Sequence, residues 1–276
     1  MQPIELSKGR RLEFSRPLIM GIINCTPDSF AVRFDSAAKA VEQARRMIDE
    51  GADIIDVGGE SSRPGSDPVP PDEELARVIP VIEKIRVLSD IPVSIDTTKA
   101  VVAEKALTAG ADIINDISAL AFDPGMAATA ARIGCPVVLM HIKGRPKTMQ
   151  DDPYYDDVIG EVGDYFAERM AHAESHGIAG DRIILDVGIG FGKRTVDNLM
   201  LIKHLGAFRK FGRPLMVGTS RKRFIGRITG LDVDDRLEGS VATAALAVQN
   251  GADIVRVHDV AATRQAVAMA AAIREV

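Results

Sequence analysis

The sequence predicts a single α/β domain, a (β/α)8 (TIM) barrel with a short N-terminal β-hairpin. Three observations carry this. First, a unit of Gly-Ala-Asp followed by a β-branched run recurs, as GADIIDVGGE from Gly51, GADIINDIS from Gly110 and GADIVRVHD from Gly251. Glycine is favoured just past a helix C-terminus, and short, continuously apolar runs suit strands covered on both faces. Second, related runs open at Ile91, Cys135, Arg182 and Arg213, and with LIMGIIN at 18–24 they make about eight strand–helix units. Third, 276 residues is the size of one such barrel. An open doubly wound sheet is the alternative, but it would usually need fewer strands or an added domain.

The elements follow in order. MQPIELSKGRRLEF reads as a hairpin turning at Lys8-Gly9, within residues 1–16, and is placed as a lid over the barrel bottom. The barrel fills 17–276. Its strands are expected in LIMGIIN, IIDVG, IPVSIDTT, IINDIS, CPVVLMH, RIILDVGIG, RPLMVGTS and IVRVHD. The longest irregular segments, 60–71 and 142–154, each follow a strand, where a barrel keeps its active-site loops. The Ala-rich helices near 241–248 and 261–272 suit barrel packing or a subunit interface.

Composition narrows the function. A net charge of −5 gives no global basic field for nucleic acid, so an anionic ligand needs a local cluster of cations. Cys25 and Cys135 fit no metal spacing and read as free thiols in a reducing cytoplasm. No apolar run is long enough to predict a membrane span, and the N-terminus lacks the apolar core of a signal peptide.

Polar residues fall where barrel strands end, the face that carries chemistry in this fold. They are Asn24, Glu60 to Arg63, Asp96, Asn115, His141, Asp186, Ser220 to Arg223, Arg256 and His258. Asp96, Asn115 and Asp186 each interrupt a buried apolar run, where an unpaired polar group is costly. They are either a satisfied core network or the walls of a pocket for a flat heterocycle rich in N–H donors. Arg221, Lys222 and Arg223 follow strand seven and Arg256 and His258 lie on strand eight, where this fold commonly holds phosphate. The alternative for Arg221 to Arg223 is a solvated patch. GIGFGK at 188–193 only resembles a nucleotide loop, because Val187 and Lys193 stand where glycines are needed. His172 and His176 have helical spacing but no third ligand, so they read as a solvated helix face.

With these residues in place, the chain resembles the dihydropteroate synthase family from about residue 17 to the C-terminus. The resemblance rests on NCTPDSF, GADIIDVGGESSRPG, SIDTTK, INDIS, MHIKGRPKTMQ, GIGFGK, GTSRKRFIG and RVHD, in that order at successive strand ends. It implies joining of a dihydropterin CH2-diphosphate to p-aminobenzoate with loss of diphosphate, in folate biosynthesis, and inhibition by sulfonamides. It further implies that Asp96, Asn115, Asp186 and Lys222 hydrogen-bond the pterin, that Met140 and Phe191 line its pocket, and that Arg256 stacks on the ring. Asn24, Arg63, Arg256 and His258 would hold the diphosphate, with Mg2+ near Asn24. Phe30, Ser62, Pro64 and Lys222 would shape the p-aminobenzoate site. Lys222, Asp96, Asp186 and Arg256 are the implied catalytic residues, and Cys25 is a passive neighbour. A cytoplasmic homodimer is implied as well.

The chain departs from the family pattern at three points: Ser62 replaces a usual Thr, Val187 a usual Pro, and the loop after TPDSF is shorter and lacks glycines. Two other readings remain at this stage, a pterin-binding methyltransferase domain and a non-catalytic pterin-binding protein.

Overall fold

The computed structural model describes residues 1–26 and 33–276, and leaves the side chains of 33–36 out of the description. The hairpin is β1 (Ile4–Glu5) and β2 (Arg11–Leu12), antiparallel, with Ile4 opposite Leu12. Its turn takes Lys8 and Gly9 through the left-handed region at φ 55° and 73°.

The barrel strands are β3 (Leu18–Asn24), β4 (Ile54–Gly58), β5 (Val93–Asp96), β6 (Ile113–Asp116), β7 (Val137–Met140), β8 (Ile183–Asp186), β9 (Leu215–Val217) and β10 (Ile254–Val257). They are parallel neighbours in chain order, and β10 closes onto β3. Every strand expected from sequence is present. The helices around them are α1 (Arg33–Asp49), α2 (Pro71–Leu88), α3 (Ala100–Ala109), α4 (Met126–Ile133), α5 (Val158–Ser175), α6 (Thr195–Lys203), α7 (Arg223–Thr229), α8 (Leu237–Gln249) and α9 (Val260–Glu275). The β9–β10 connection carries two of them, α7 and α8.

Alternation along each strand sorts side chains to the two faces. Ile19, Ile23, Ile55, Val57, Ile95, Leu139 and Leu185 point outward and join the layer between barrel and helices. Leu18, Met20, Ile54, Ile113, Val138, Ile184, Met216 and Ile254 point inward and fill the lower barrel. Ile4, Leu6 and Leu12 of the hairpin pack onto that inner layer. The hairpin therefore closes the bottom, where the sequence reading places it as a lid.

The Gly-Ala-Asp repeat has a structural meaning. Gly51, Gly110 and Gly251 take φ of 95°, 120° and 109°, a region open to glycine at little steric cost. The Asp that follows then meets the first turn of the preceding barrel strand. Asp112 donates its N–H to the Val93 carbonyl at 2.7 Å, and its carboxylate accepts the Val93 N–H at 3.0 Å. Asp53 makes the same exchange with Ile19, and Asp253 with Leu215. Each carboxylate also takes an arginine: Arg16, Arg86 or Arg209. The repeat thus satisfies strand ends at the barrel bottom, away from the strand-end polar residues.

Candidate active site

Above the apolar layer the inner face turns polar. Stepping two residues at a time from Leu18 leads to Asn24 on β3, and from Ile54 to Asp56 on β4. The same step places Asp96, Asn115, Met140, Asp186 and Arg256 inward, with His258 just past the end of β10. Register brings several of them to one level: Asn24 lies opposite Gly58, Gly58 opposite Asp96, and Asp96 opposite Asn115.

Arg256 is the hub of the inner cluster. Its Nε donates to Asp56 Oδ2 at 2.7 Å and its Nη2 to Asp96 Oδ2 at 2.7 Å. Asn115 Nδ2 donates to the same Asp56 oxygen at 3.2 Å. Burial pushes the Asp96 carboxyl up to about 7, against the opposing pull of Arg256, with Asp56 repelling its charge. Asp56 and Asp96 hold Arg256 protonated although burial opposes the charge.

On the opposite wall Asp186 Oδ1 accepts the Gly188 N–H at 2.8 Å. Gly188 has φ 65° there, and a Cβ would strike the His141 carbonyl, so this turn requires glycine. Val187 is buried in the outer layer and leaves the Asp186–Gly188 contact intact. Burial raises the Asp186 carboxyl and lowers the Lys222 ammonium to about 8, and each group's charge opposes the other's shift. Lys222 bonds the Ile189 carbonyl. Met140 and Phe191 pack in a small apolar cluster with Ile117, Ile142, Met149 and Phe122. The mouth is therefore a polar floor with an apolar wall, suited to a flat, polar-edged heterocycle.

The rim comes from loops. Ser62 is half-buried, and Arg63 and Pro64 are exposed on the segment after β4. Glu60 anchors that segment: its Oε2 accepts the Val69 N–H at 2.7 Å and Lys99 Nζ at 2.6 Å. Lys99 also bonds the fully buried Glu74 at 2.5 Å. The Gly65 N–H donates to the Pro146 carbonyl at 3.1 Å, joining this loop to the one after β7. Phe30 lies outside the described residues.

Several readings need adjusting. Burial, and then the charges of Arg256, Arg221 and Arg63, lowers His258 to about 4, so its imidazole is neutral near pH 7. Ser220 Oγ bonds its Nδ1 at 2.9 Å. His258 therefore offers a hydrogen bond to an anion rather than a charge. Of the cation run after β9, Arg221 is turned onto Asp259 at 2.7 Å by a backbone φ of 55°, and Arg223 is exposed. Only Lys222 faces the inner wall. His141 has outward parity and packs between Tyr155 and Tyr165, with Lys193 Nζ 2.8 Å from its Nδ1. Cys25 also points outward into the apolar layer, and burial pushes its thiol up to about 12, so it is no nucleophile.

Sequence reasoning missed Asp56 and Lys193. The repeat itself carries the signal for Asp56: GADIID, GADIIN and GADIVR place Asp56, Asn115 and Arg256 at one position, and all three meet in the structure.

The whole chain is similar to known proteins. A family model described as pterin binding enzyme matches residues 20–258. The chain is 48% identical over 262 residues to the dihydropteroate synthase of Escherichia coli K12, covering 94% of this chain and 93% of that one. The Yersinia pestis dihydropteroate synthase solved with a sulfonamide drug superposes with a TM-score of 0.95 at 42% identity, covering both chains fully. The Xanthomonas albilineans dihydropteroate synthase solved with 4-aminobenzoic acid gives 0.93 at 45%, again over both whole chains.

Proposed function

The chain belongs to the pterin-binding enzyme family and, within it, to the dihydropteroate synthases, transferases of folate biosynthesis, and from that premise we propose how its own residues carry the reaction. A dihydropterin bearing a CH2-diphosphate enters the mouth. Asp96, Asn115 and Asp186 accept from or donate to its polar edges, Lys222 donates to its carbonyl side, and Met140 and Phe191 cover its face. The observation that carries this assignment is the convergence of two buried carboxylates, an amide and two cations on one apolar-walled mouth.

The diphosphate lies toward Arg63, Arg256, His258 and Asn24. Its C–O bond breaks, p-aminobenzoate nitrogen bonds the CH2 carbon, and the nitrogen gives up a proton to water or to the leaving diphosphate. The cations and the His258 N–H stabilise charge as it develops on the leaving group. The nucleophile is a neutral arylamine, so no strong base is needed. Asp96 and Asp186 offset positive charge that develops on the pterin.

Asn24 offers an uncharged oxygen ligand at the mouth, and no cluster of three acidic, His or Cys ligands occurs among the described residues. That donor set fits Mg2+ held chiefly by the diphosphate, because Mg2+ takes one or two protein oxygens and completes its shell from phosphate and water. Bound there, Mg2+ supplies charge neutralisation to the leaving group.

Ser62 and Pro64, with Lys222 and Phe30, shape the p-aminobenzoate site, where sulfonamides compete. Exposed Val196, Leu199, Ile228, Leu246, Met269 and Ile273 on the adjoining helices α6 to α9 support a homodimer through this side. No helix among the described residues is long and apolar enough to cross a membrane, and we place the enzyme in the cytoplasm. The test is diphosphate release from the pterin diphosphate, with and without p-aminobenzoate and Mg2+. Release that needs both supports the assignment, and binding without release would overturn it.

A further inference from the structure

Asp56 is fully buried, yet none of the substrate contacts above uses it. One of its oxygens carries the whole load. Oδ2 accepts Arg256 Nε at 2.7 Å and Asn115 Nδ2 at 3.2 Å, and lies 2.6 Å from Arg256 Nη2. The other, Oδ1, is buried with no partner among the described residues. A buried oxygen without a donor is a standing cost to the fold. Below it on the inner face Ile54, Ile113 and Ile254 are aliphatic, while Ser94, opposite Asp56 in the β4–β5 register, has a buried hydroxyl that likewise lacks a partner among the described residues. A group kept against stability in this way marks a site where function constrains the residue.

The geometry shows what Asp56 constrains. Arg256 stands between two carboxylates, Asp56 on one side and Asp96 on the other. Without Asp56 the guanidinium has one anionic partner left and turns wholly onto Asp96. That would occupy the carboxylate aimed at the pterin and draw the cation away from the diphosphate. The Asn115 amide would lose the acceptor that fixes its orientation.

We propose that Asp56 is a positioning residue for the transfer reaction, holding the Arg256 guanidinium and the Asn115 amide in the orientation that meets the pterin diphosphate. This rests on the synthase reading of the site. Asp56 acts chiefly through Arg256, with Asn115 as the weaker contact, so most of its effect disappears when Arg256 is already compromised.

The experiment is a double-mutant cycle with Asp56→Asn and Arg256→Lys, read as kcat and KM for both substrates alongside Tm. Asn keeps the shape and one acceptor while it removes the charge. Asp56→Asn is expected to lower kcat by at least about tenfold, with KM for p-aminobenzoate changed by less than about threefold. In the Arg256→Lys background it is expected to cost less than about threefold more. Equal losses in both backgrounds, or wild-type kinetics for Asp56→Asn, would overturn the proposal. Wild-type kinetics for Arg256→Lys alone would instead overturn the site reading. Should Asp56→Asn fail to fold, Asp56→Ser takes its place; failure of both would make Asp56 a folding residue and end the positioning role.

Discussion

Lys222 stands over the ring of Phe191, its Nζ 4.7 Å from the ring centre. The contact places a cation on the apolar wall, across from Asp186. Burial lowers this ammonium to about 8, with Asp186 pulling the other way. The ammonium is a stronger donor to the pterin than the neutral amine, so kcat/KM is expected to fall as pH rises through about 8 in the wild type. Lys222→Arg, with a guanidinium that stays protonated, should push that limb to higher pH. Lys222→Ala and Asp186→Asn should each lower kcat/KM by at least about tenfold, or about 1.4 kcal/mol. Steady-state kinetics over pH 6–10 decide it, and near-wild-type values for both variants would sink the site assignment.

The strands were legible because buried parallel strands are written as short apolar runs, and a polar residue inside such a run has a fixed facing. Asp96, Asn115, Asp186 and Arg256 were found that way, and the structure places all four inside the barrel. The rule weakens where the strand stops. His141 follows Met140 by one residue and so faces outward, where Lys193 arrives from a loop 52 residues later. Arg221 was read with Lys222, but a left-handed backbone at Arg221 sends the two side chains apart. Such contacts depend on loop conformation, which residue spacing does not encode. Asp56 was overlooked for a different reason: it sits one layer deeper than the strand-end residues and meets them through Arg256 and Asn115.

Asp96 ties stability to pH. Its carboxyl is raised to about 7 in the fold, from a normal value near 4, chiefly by burial. Between those values the native state holds a proton that the unfolded chain has lost. Stability therefore falls as pH rises through this window and levels off above it. Asp96→Asn removes the titration. Its Tm relative to wild type should rise between pH 5 and pH 8, which thermal melts at matched ionic strength will show. A constant Tm difference across that range would refute the linkage.

The Lys99 bridge predicts a coupled loss of stability and rim order. Glu74 is fully buried, and Lys99 is the cation that bonds it and Glu60 together. Lys99→Met leaves a buried carboxylate uncompensated and should cost about 3 kcal/mol. The loop bearing Ser62, Arg63 and Pro64 loses its anchor at Glu60, so KM for p-aminobenzoate should rise more than KM for the pterin diphosphate. Adding Glu74→Leu to Lys99→Met should restore most of the stability without restoring KM, since the Glu60 contact stays broken. Urea unfolding with paired kinetics separates the two effects, and recovery of both together would show that the anchor plays no part in substrate binding.

Asp112 offers the converse case, a buried carboxylate whose loss should leave chemistry alone. It lies at the barrel bottom, where it accepts the Val93 N–H, Arg86 Nη2 at 3.0 Å and Arg10 Nη2 at 2.5 Å, with Ser7 Oγ at 2.7 Å. It thus joins β5, α2 and the hairpin lid at one point. Asp112→Ala removes the carboxylate partner that two arginines share and leaves a strand-end N–H unpaired, and should cost about 3 kcal/mol. The reacting groups lie at the other end of the same strands, so kcat and both KM values should stay within about twofold of wild type below the lowered Tm. A large change in kcat with the fold intact would mean that the hairpin end communicates with the mouth, contrary to the division of the barrel into a stabilising bottom and a reactive top.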